Sequence, residues 1–590
     1  MQTRSELRRD DGRLIIHFDY DCFYASVVEA ENPALKAVPL AIQQKQIVVT
    51  CNYEARRRGL YKLQLITEAK KICPDAVIVL GEDLTRFRNA SKDLYNFLRT
   101  RIWSDRAERL GFDEVWLDCT DMVEYNLKLL NHNDLTQSFF CMDKDDPTAG
   151  FAFDASTMFG PTYPKIRDVQ NGAVPCPDEL HLRLVLASHL ARHLRHELES
   201  QKGYTATVGI ATNKVLSKLV GNVNKPKSQT TIIPPYEPVG FPMSTVTQFM
   251  DGHDIGKVPG IGFKLAQKIR AEILGRPPAI ESGLVVGWTK ESISVANVRA
   301  YPGIGPQMLE DILSGPGAQK GIGGKMWELL HGIDDSEVMK AKRVPSQISQ
   351  EDSYMKYLHT FEQVKKQLQL LSERLIIRMH LDLMEDDDEQ SDGTMIYRRW
   401  LAHPRTLRLS TRPRPLPGPD GIRPRTFHRI SRSTPLPNFV FNVRESTGVL
   451  ADRLVECSLI DMFRKLHPEK HGWNLSLINI AVTNMAETAA ETKDSEGRDI
   501  GRMFRRQEDV LKDFKVIEET GASEVCSTYA SPPSPITDGE ESHERLSVAE
   551  WDEESQEDEM CQVKMCGVCY VAIPTFAFMA HQQFHQSTGH

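Results

Sequence analysis

Five residues, Leu14-Ile15-Ile16-His17-Phe18, run directly into two acids, Asp19 and Asp21. A run so short and so apolar reads as a strand buried on both faces. A carboxylate at the end of such a strand is costly to bury alone. A cation, hydrogen bonds or a metal must compensate it. The arrangement recurs at Phe112-Asp113-Glu114-Val115-Trp116-Leu117-Asp118. Any fold for this chain must therefore supply compensation at two acid-bearing strands. Adjacent acids on a strand point to opposite faces, so a turn or bulge is needed to aim Asp113 and Glu114 into one site. Together, Asp19, Asp113 and Glu114 suit two hard divalent cations, which lie about 3.5–4 Å apart in two-metal phosphoryl-transfer sites. Taken singly, such acids are more often caps or solvated groups.

Further strands are expected over 77–80, 115–117 and 205–210, with a helix over 84–102. Across 179–200, Leu182, Leu186, Leu190, Leu194 and Leu198 recur every fourth residue, the pattern of an amphipathic helix. His189 and His193 on it have no third ligand at a known spacing, so they read as a solvated or DNA-facing flank rather than a zinc site. The mixture of strands and helices over 11–240 indicates an α/β or α+β body. Residues 130–178, rich in Gly, Pro, Asn and Asp, read as a surface insertion. A separate block over 344–485 has a helical start (361–379) and strand-like pieces (406–410 and 477–482).

Charge matters here because the whole-chain value of −9 hides its distribution. Residues 486–560 hold 22 acidic and 8 basic residues, a net of −14, and residues 1–485 carry +4. Within the second block, 398–432 has ten arginines against one acid, Asp420. A locally basic body with an acidic tail keeps nucleic acid open as a partner. The acidic stretch is expected to be disordered. No run of 18 apolar residues suggests a membrane span, and the first ten residues lack a secretory signal's apolar core. Eleven cysteines, scattered except near the C-terminus, argue for a reducing compartment.

Other basic motifs follow in order. Tyr53 and Arg56, in Thr50-Cys51-Asn52-Tyr53-Glu54-Ala55-Arg56, stand three apart and share a face if a helix begins there. A phenol and a guanidinium so placed suit a polyphosphate. Thr207-Val208-Gly209-Ile210-Ala211-Thr212-Asn213-Lys214 and Asn224-Lys225-Pro226 add lysines at a strand–helix junction. Pro259-Gly260-Ile261-Gly262 and Pro302-Gly303-Ile304-Gly305 each precede a helix-like stretch, and such turns can present backbone N–H groups to phosphate. For the second copy a plain capping turn is an equal reading.

In this order the motifs DYDCFYA, VVTCNYEAR, FDEVWLD, TVGIATNK, NKP and VPGIG resemble a Y-family, translesion DNA polymerase. Fitting motifs run from Leu14 to about Leu265, and the region to 485 fits in order and length. Gln43-Gln44-Lys45, Gly81-Glu82-Asp83-Leu84-Thr85-Arg86 and Arg109-Leu110-Gly111 resemble one branch of the family. Most members have Ser where this chain has Gly111.

The resemblance implies an α+β multidomain right-hand polymerase. Residues 11–40 and 101–240 would be palm, 41–100 fingers, 241–343 a thumb with a helix-hairpin-helix, and 344–485 a little finger. A disordered acidic linker (486–560) and a C-terminal finger (561–590) would follow. Asp19, Asp113 and Glu114 would bind two magnesium ions, or manganese, with the Tyr20 carbonyl as a further ligand. Asp21 would support by hydrogen bonding. Tyr24 would be the steric gate against a 2′-hydroxyl. Tyr53, Arg56, Lys225 and Thr50 would hold the triphosphate. Gln44 and Lys45 would lie over the nascent base pair, where this branch has a narrowed site. Gly260, Gly262 and Lys214 would contact DNA. The implied substrates are primer-template DNA and deoxynucleoside triphosphates, and the implied location is the nucleus.

Cys566, Cys569, His581 and His585 have the C-x2-C…H-x3-H spacing of a small ββα zinc finger. Lys564 is the only Lys or Arg of 561–590, so a nucleic-acid helix is a poor fit. The spacing resembles a ubiquitin-binding zinc finger, which implies ubiquitin or a ubiquitinated sliding clamp (PCNA) as partner. Gln583 departs from the acid usual between the two histidines. Ile500-Gly501-Arg502-Met503-Phe504 resembles a degenerate clamp motif, and a short helix docking on the body is an equal reading. A catalytically idle adaptor is the competing function from another class; the complete carboxylate and triphosphate sets favour the enzyme.

Overall fold

Strand β1 (Ile15–Tyr20) is buried along its whole length, as its apolar run requires. The computed structural model describes residues 7, 9–165, 179–234, 236, 244–279, 289, 291–315, 318–387, 397–414, 429–469, 473–487, 563–565 and 572–574. Two compact units divide this chain, one within Met1–Ala341 and Arg545–His590 and one within Lys342–Glu544.

In the first unit β1 is followed by β2 (Leu40–Gln44), β3 (Ile47–Cys51), β4 (Val77–Leu80), β5 (Ala107–Leu110), β6 (Glu114–Asp118), β7 (Ser138–Cys141), β8 (Gly150–Phe153), β9 (Thr162–Tyr163), β10 (Ala206–Ala211) and β11 (Gln229–Ile232). Six strands form one sheet in the order β5-β6-β1-β10-β11-β9. β1 runs antiparallel to both neighbours, β6 and β10. Its central position explains why hydrophobic residues occupy both of its faces.

Register places the chemistry. Asp19 stands opposite Glu114 on one side and Thr207 on the other, and His17 stands opposite Trp116 and Gly209. Opposed residues share a sheet face. One face therefore carries a row Glu114-Asp19-Thr207 beside a row Trp116-His17-Gly209. Helix Lys214–Gly221 packs closely on β10, and Gly209 permits the approach. A Cβ there would lie 1.9 Å from the Ser217 carbonyl oxygen and 2.5 Å from the Gly221 nitrogen. Ile16, Phe18, Val115, Leu117, Val208 and Ile210 join the main core. The five leucines of the 182–198 repeat are all buried, four of them in that same core.

Two sequence expectations change here. Residues 138–153 are not a loose surface insertion: β7 and β8 pair as a hairpin, and Phe140 and Phe153 enter the main core. The aromatic pair Phe139-Phe140 and the alternation Phe151-x-Phe153 are the strand signal in this stretch. That hairpin also removes His189 and His193 from the solvated or DNA-facing flank expected for them. His189 is buried, its Nε2 3.0 Å from the Thr157 carbonyl, and the His193 ring stacks on Phe151 at 4.4 Å.

A smaller sheet, β3-β2-β4, has β2 antiparallel to β3 and parallel to β4. Its own core contains Ala41, Val48, Cys51, Ala55, Leu60 and Ala69.

The second unit has β12 (Gln347–Leu358), β13 (Met384–Asp387), β14 (Tyr397–Trp400), β15 (Ala402–Pro413), β16 (Ile430–Pro435) and β17 (Leu475–Glu487). Four of these form an antiparallel sheet, β12-β17-β15-β16, over a separate core. Helix Phe361–Leu383 begins with a capping box, the Thr360 side chain accepting from the Gln363 amide while Gln363 returns the bond. Acids outside the arginine-rich stretch offset part of it: Arg399 lies 2.7 Å from Glu385 and Arg429 2.7 Å from Glu351. Near the C-terminus, β18 (Val563–Met565) and β19 (Ala572–Pro574) pair antiparallel. Cys566, Cys569, His581 and His585, the 500–504 motif and the acidic stretch after Glu487 lie outside the described residues.

Candidate active site

The end of β1 is tied to the entry of β6. The Tyr20 amide donates to the Asp113 carbonyl at 2.8 Å, and Gly111, at φ +65°, turns β5 back into β6. Asp113 sits just before β6 begins at Glu114, so the two adjacent acids are separated by the start of the strand. Asp113 lines a cleft; Glu114 does not.

Asp19, Tyr20, Tyr24, Thr50, Tyr53, Arg56, Asp113 and Lys225 all line that one cleft, with Asp21 and Lys62. Its empty space is about 510 Å³, the open mouth included. Eight residues spread over more than 200 positions thus meet in one place. Asp21 supports the floor: it accepts from the Thr207 hydroxyl at 2.7 Å and from the Lys227 amide at 3.0 Å. The helix Tyr53–Arg57 is started by Asn52, whose side chain accepts from the Ala55 amide. Arg56 is held by a 3.1 Å bond from its Nε to the Cys51 carbonyl, and its guanidinium lies 4.7 Å from the Tyr53 ring centroid. Tyr24 is buried and stacks on Phe87, centroids 4.2 Å apart at 20°.

Each carboxylate opposite its neighbour in the ladder has its own lysine. Lys225 Nζ lies 2.6 Å from Asp19 Oδ2, and Lys218 Nζ lies 2.6 Å from Glu114 Oε2. Burial alone would raise the Glu114 carboxyl, but the Lys218 ammonium and His17 outweigh it and hold the group far below the usual carboxylate range. Burial depresses the His17 imidazole against the pull of Glu114. Its Nε2 is 3.7 Å from Glu114 Oε2, too long for a direct hydrogen bond.

Besides Glu114, five expected residues lie away from the cleft. Gln44, at the end of β2, donates to the Gly81 carbonyl at 2.7 Å, and Lys45 follows in the hairpin turn at φ +51°. Gly260 and Gly262 open helix Phe263–Leu274, with Gly260 at φ +90°. The 302–305 turn is built alike, with Gly303 at φ +79° and Gly305 as N-cap of helix Pro306–Leu313. Lys214, the first residue of helix Lys214–Gly221, does not line the cleft. Its ammonium is engaged by both Glu108 oxygens, at 2.8 and 2.9 Å.

Sequence reasoning missed four contributors. Lys62 lines the cleft, and nothing around it in Gly59-Leu60-Tyr61-Lys62-Leu63 marked it. Asn52 is buried and also bonds the Leu40 amide at 3.1 Å and the Val38 carbonyl at 2.9 Å, joining β2 to the helix. Phe87 supports Tyr24. Lys218 carries no local mark, since a lysine four residues after Lys214 reads as a solvated helix face.

Among the described residues, no three His, Cys, Asp or Glu side chains converge as a metal cage. No described helix is long and apolar enough to cross a membrane.

Sequence models of the impB/mucB/samB family match residues 18–222, and those of its C-terminal domain match 345–495. The chain belongs to this family, the Y-family of DNA polymerases. It is similar to DNA polymerase iota of Homo sapiens, 30% identical over 474 residues, which are 80% of this chain and 52% of that protein. DNA polymerase iota of Mus musculus is 31% identical over 487 residues, 82% of this chain and 55% of that one. DNA polymerase iota of Drosophila melanogaster is 38% identical over 253 residues, 43% of this chain and 30% of that one. The chain thus spans about half the length of the first two.

Proposed function

We propose that the chain is a template-directed DNA polymerase that inserts deoxynucleotides opposite damaged template by two-metal nucleotidyl transfer. The gathering of Asp19 and Asp113 with Tyr53, Arg56 and Lys225 in one cleft supports this reading most directly. A nuclease needs the acids but has no use for the triphosphate set.

The donor chemistry fits magnesium. Two carboxylates and the Tyr20 carbonyl are hard oxygen ligands, and magnesium is commonly bound by one or two carboxylates plus substrate phosphates rather than by an all-protein cage. Asp19, Asp113 and the Tyr20 carbonyl would hold the ions, with Glu114 joining from its pair with Lys218. When bound, the ions supply Lewis-acid stabilisation of charge on the phosphates and activate the primer 3′-oxygen. Arg56 offers a planar fork for phosphate oxygens, with Tyr53, Thr50 and Lys225 as further partners. Lys62 joins this set. Tyr24, backed by Phe87, has no freedom to retreat from a 2′-hydroxyl.

In this reading the sheet around β1 is palm (11–40 and 101–240), 41–100 fingers, 241–343 thumb and 344–485 little finger. The amides after Gly260 and Gly262 would meet phosphate, and Gln44 and Lys45 would cover the base pair. Location in the nucleus follows from the activity.

The test is primer extension on undamaged and abasic templates. Extension with deoxynucleotides and near silence with ribonucleotides is expected, and Tyr24→Ala should narrow that discrimination by about a hundredfold, the scale of one lost steric contact. A wild-type chain with no extension on either template would leave the adaptor reading in its place.

Cys566, Cys569, His581 and His585 are proposed to bind zinc and present a ubiquitin-binding surface, on the strength of their spacing. Adding monoubiquitin to the isotope-labelled full chain should shift amide resonances of 561–590. No shifts at millimolar ubiquitin would reject the ubiquitin half of this reading.

A further inference from the structure

Asp19 and Glu114 face each other across the β1–β6 ladder, and each is capped by a lysine at 2.6 Å. Lys225 has a task in the reading above, since it belongs to the triphosphate set. Lys218 has none. It is nevertheless the more deliberately placed of the two. Its helix, Lys214–Gly221, is seated against β10 by the Gly209 contact, so its distance from the sheet is fixed by backbone meeting backbone. The Lys218 side chain is 8% exposed and Glu114 14%. Trp116, opposed to His17 in the ladder, walls the pair: its ring centroid is 5.8 Å from Lys218 Nζ and 5.1 Å from Lys214 Nζ. The Trp116 indole N–H donates to the Lys214 carbonyl at 3.1 Å, locking wall to helix. A cation set so firmly beside one carboxylate competes with any other cation for it.

We infer that Lys218 is a positioning residue that holds Glu114 out of the cleft as an internal counter-ion, so that occupancy of the site by divalent ions requires displacing it. This rests on the proposed metal site. Its logic is linkage: if ions weaken the Lys218–Glu114 pair, the pair weakens ion binding by the same factor. The carboxylate is thus kept ionised and satisfied before nucleotide arrives, and the ions that come with the nucleotide meet a site already charged for them. Lys218 touches no reacting atom in this scheme; it acts through Glu114.

The experiment titrates Mn2+ alone into the full chain, with free ion followed by electron paramagnetic resonance, for wild type, Lys218→Gln and Lys218→Arg. Melting temperature is followed in parallel, in chelator and in saturating Mn2+. Lys218→Gln should bind Mn2+ about tenfold more tightly, the middle of the range of inter-site couplings. It should also melt lower than wild type in chelator and recover most of the difference when the ion is bound. Lys218→Arg keeps the charge and should stay near wild type in both. An equal loss of melting temperature with and without ion, at unchanged affinity, would make Lys218 a packing residue and overturn the inference. If wild type binds no Mn2+ while Asp113→Asn is equally silent, the metal site itself fails and the inference falls with it. Saturable binding lost in Asp113→Asn but unmoved in Lys218→Gln overturns the inference alone.

Discussion

Asp113→Ala combined with Glu114→Ala should leave primer-template affinity within about twofold of wild type while lowering extension at least about a thousandfold. Metal ligation contributes several kcal/mol of transition-state stabilisation, and each 1.36 kcal/mol is tenfold in rate. The structure explains why binding should survive. Asp113 meets Tyr20 through its backbone carbonyl, which alanine keeps, so the junction of β1 and β6 is not cut. The basic second unit and the glycine turns at 260 and 303 are untouched. Removing the Glu114 carboxylate does leave Lys218 without its nearest acid, and breaking a buried pair from one side typically costs about 3–5 kcal/mol. Asp113→Asn with Glu114→Gln keeps the shape and some of the hydrogen bonding. It should melt closer to wild type and extend no better than the alanine pair. Extension within tenfold of wild type by either double variant would end the two-metal assignment. Loss of DNA binding in both, with melting unchanged, would show that the acids position the template rather than the ions.

How far the site could be read in advance depended on what each residue has to do. Asp19, Asp113, Tyr53, Arg56 and Lys225 were legible because their chemistry is unusual for its setting: acids against an apolar strand, and a phenol and guanidinium three apart at a helix start. β1 and the leucine-repeat helix were legible from periodicity, since burial of a whole strand or one helix stripe writes itself into the residue order. Other features depend on partners distant in sequence. Nothing local tells that Asp118 to Leu110 would fold back so that Glu114 meets Asp19, or that Lys218 would be its counter-ion 104 positions away. The partner of Lys214 was hidden for the same reason, because Glu108 reaches it only through the fold. The aromatic hairpin at 138–153 was lost beneath its polar loop residues, although the aromatics on β7 and β8 carry the strand pattern. His189 and His193 followed it into error, because what covers a helix face is decided by the element packed on it. Local chemistry could be read; pairing across the sheet could not.

Gly209→Ala should destabilise the first unit by about 3 kcal/mol, the upper end of ordinary overpacking costs. Its magnitude comes from what the new methyl would meet. The nearest atoms are the Ser217 carbonyl oxygen at 1.9 Å and the Gly221 nitrogen and Cα at 2.5 and 2.8 Å, all of them backbone. No side chain can rotate away to make room, so the helix Lys214–Gly221 must lift from the sheet or bend. Lifting separates Lys218 from Glu114 and draws on the Trp116–Lys214 bond, both set by that seat. The same methyl should therefore raise ion affinity, as Lys218→Gln does, while lowering the first melting transition, whereas the second unit, with its own core, should melt as before. Gly203→Ala is the matched control. It also replaces a glycine with alanine in the same unit, at φ +77°, but nothing lies within 4 Å of its Cβ position. Its cost should stay near the 1–2 kcal/mol of left-handed backbone alone. Differential scanning calorimetry of the full chain reads both. A Gly209→Ala transition no lower than that of Gly203→Ala would show that the helix is not seated by this contact, and the placement of Lys218 would lose its physical cause.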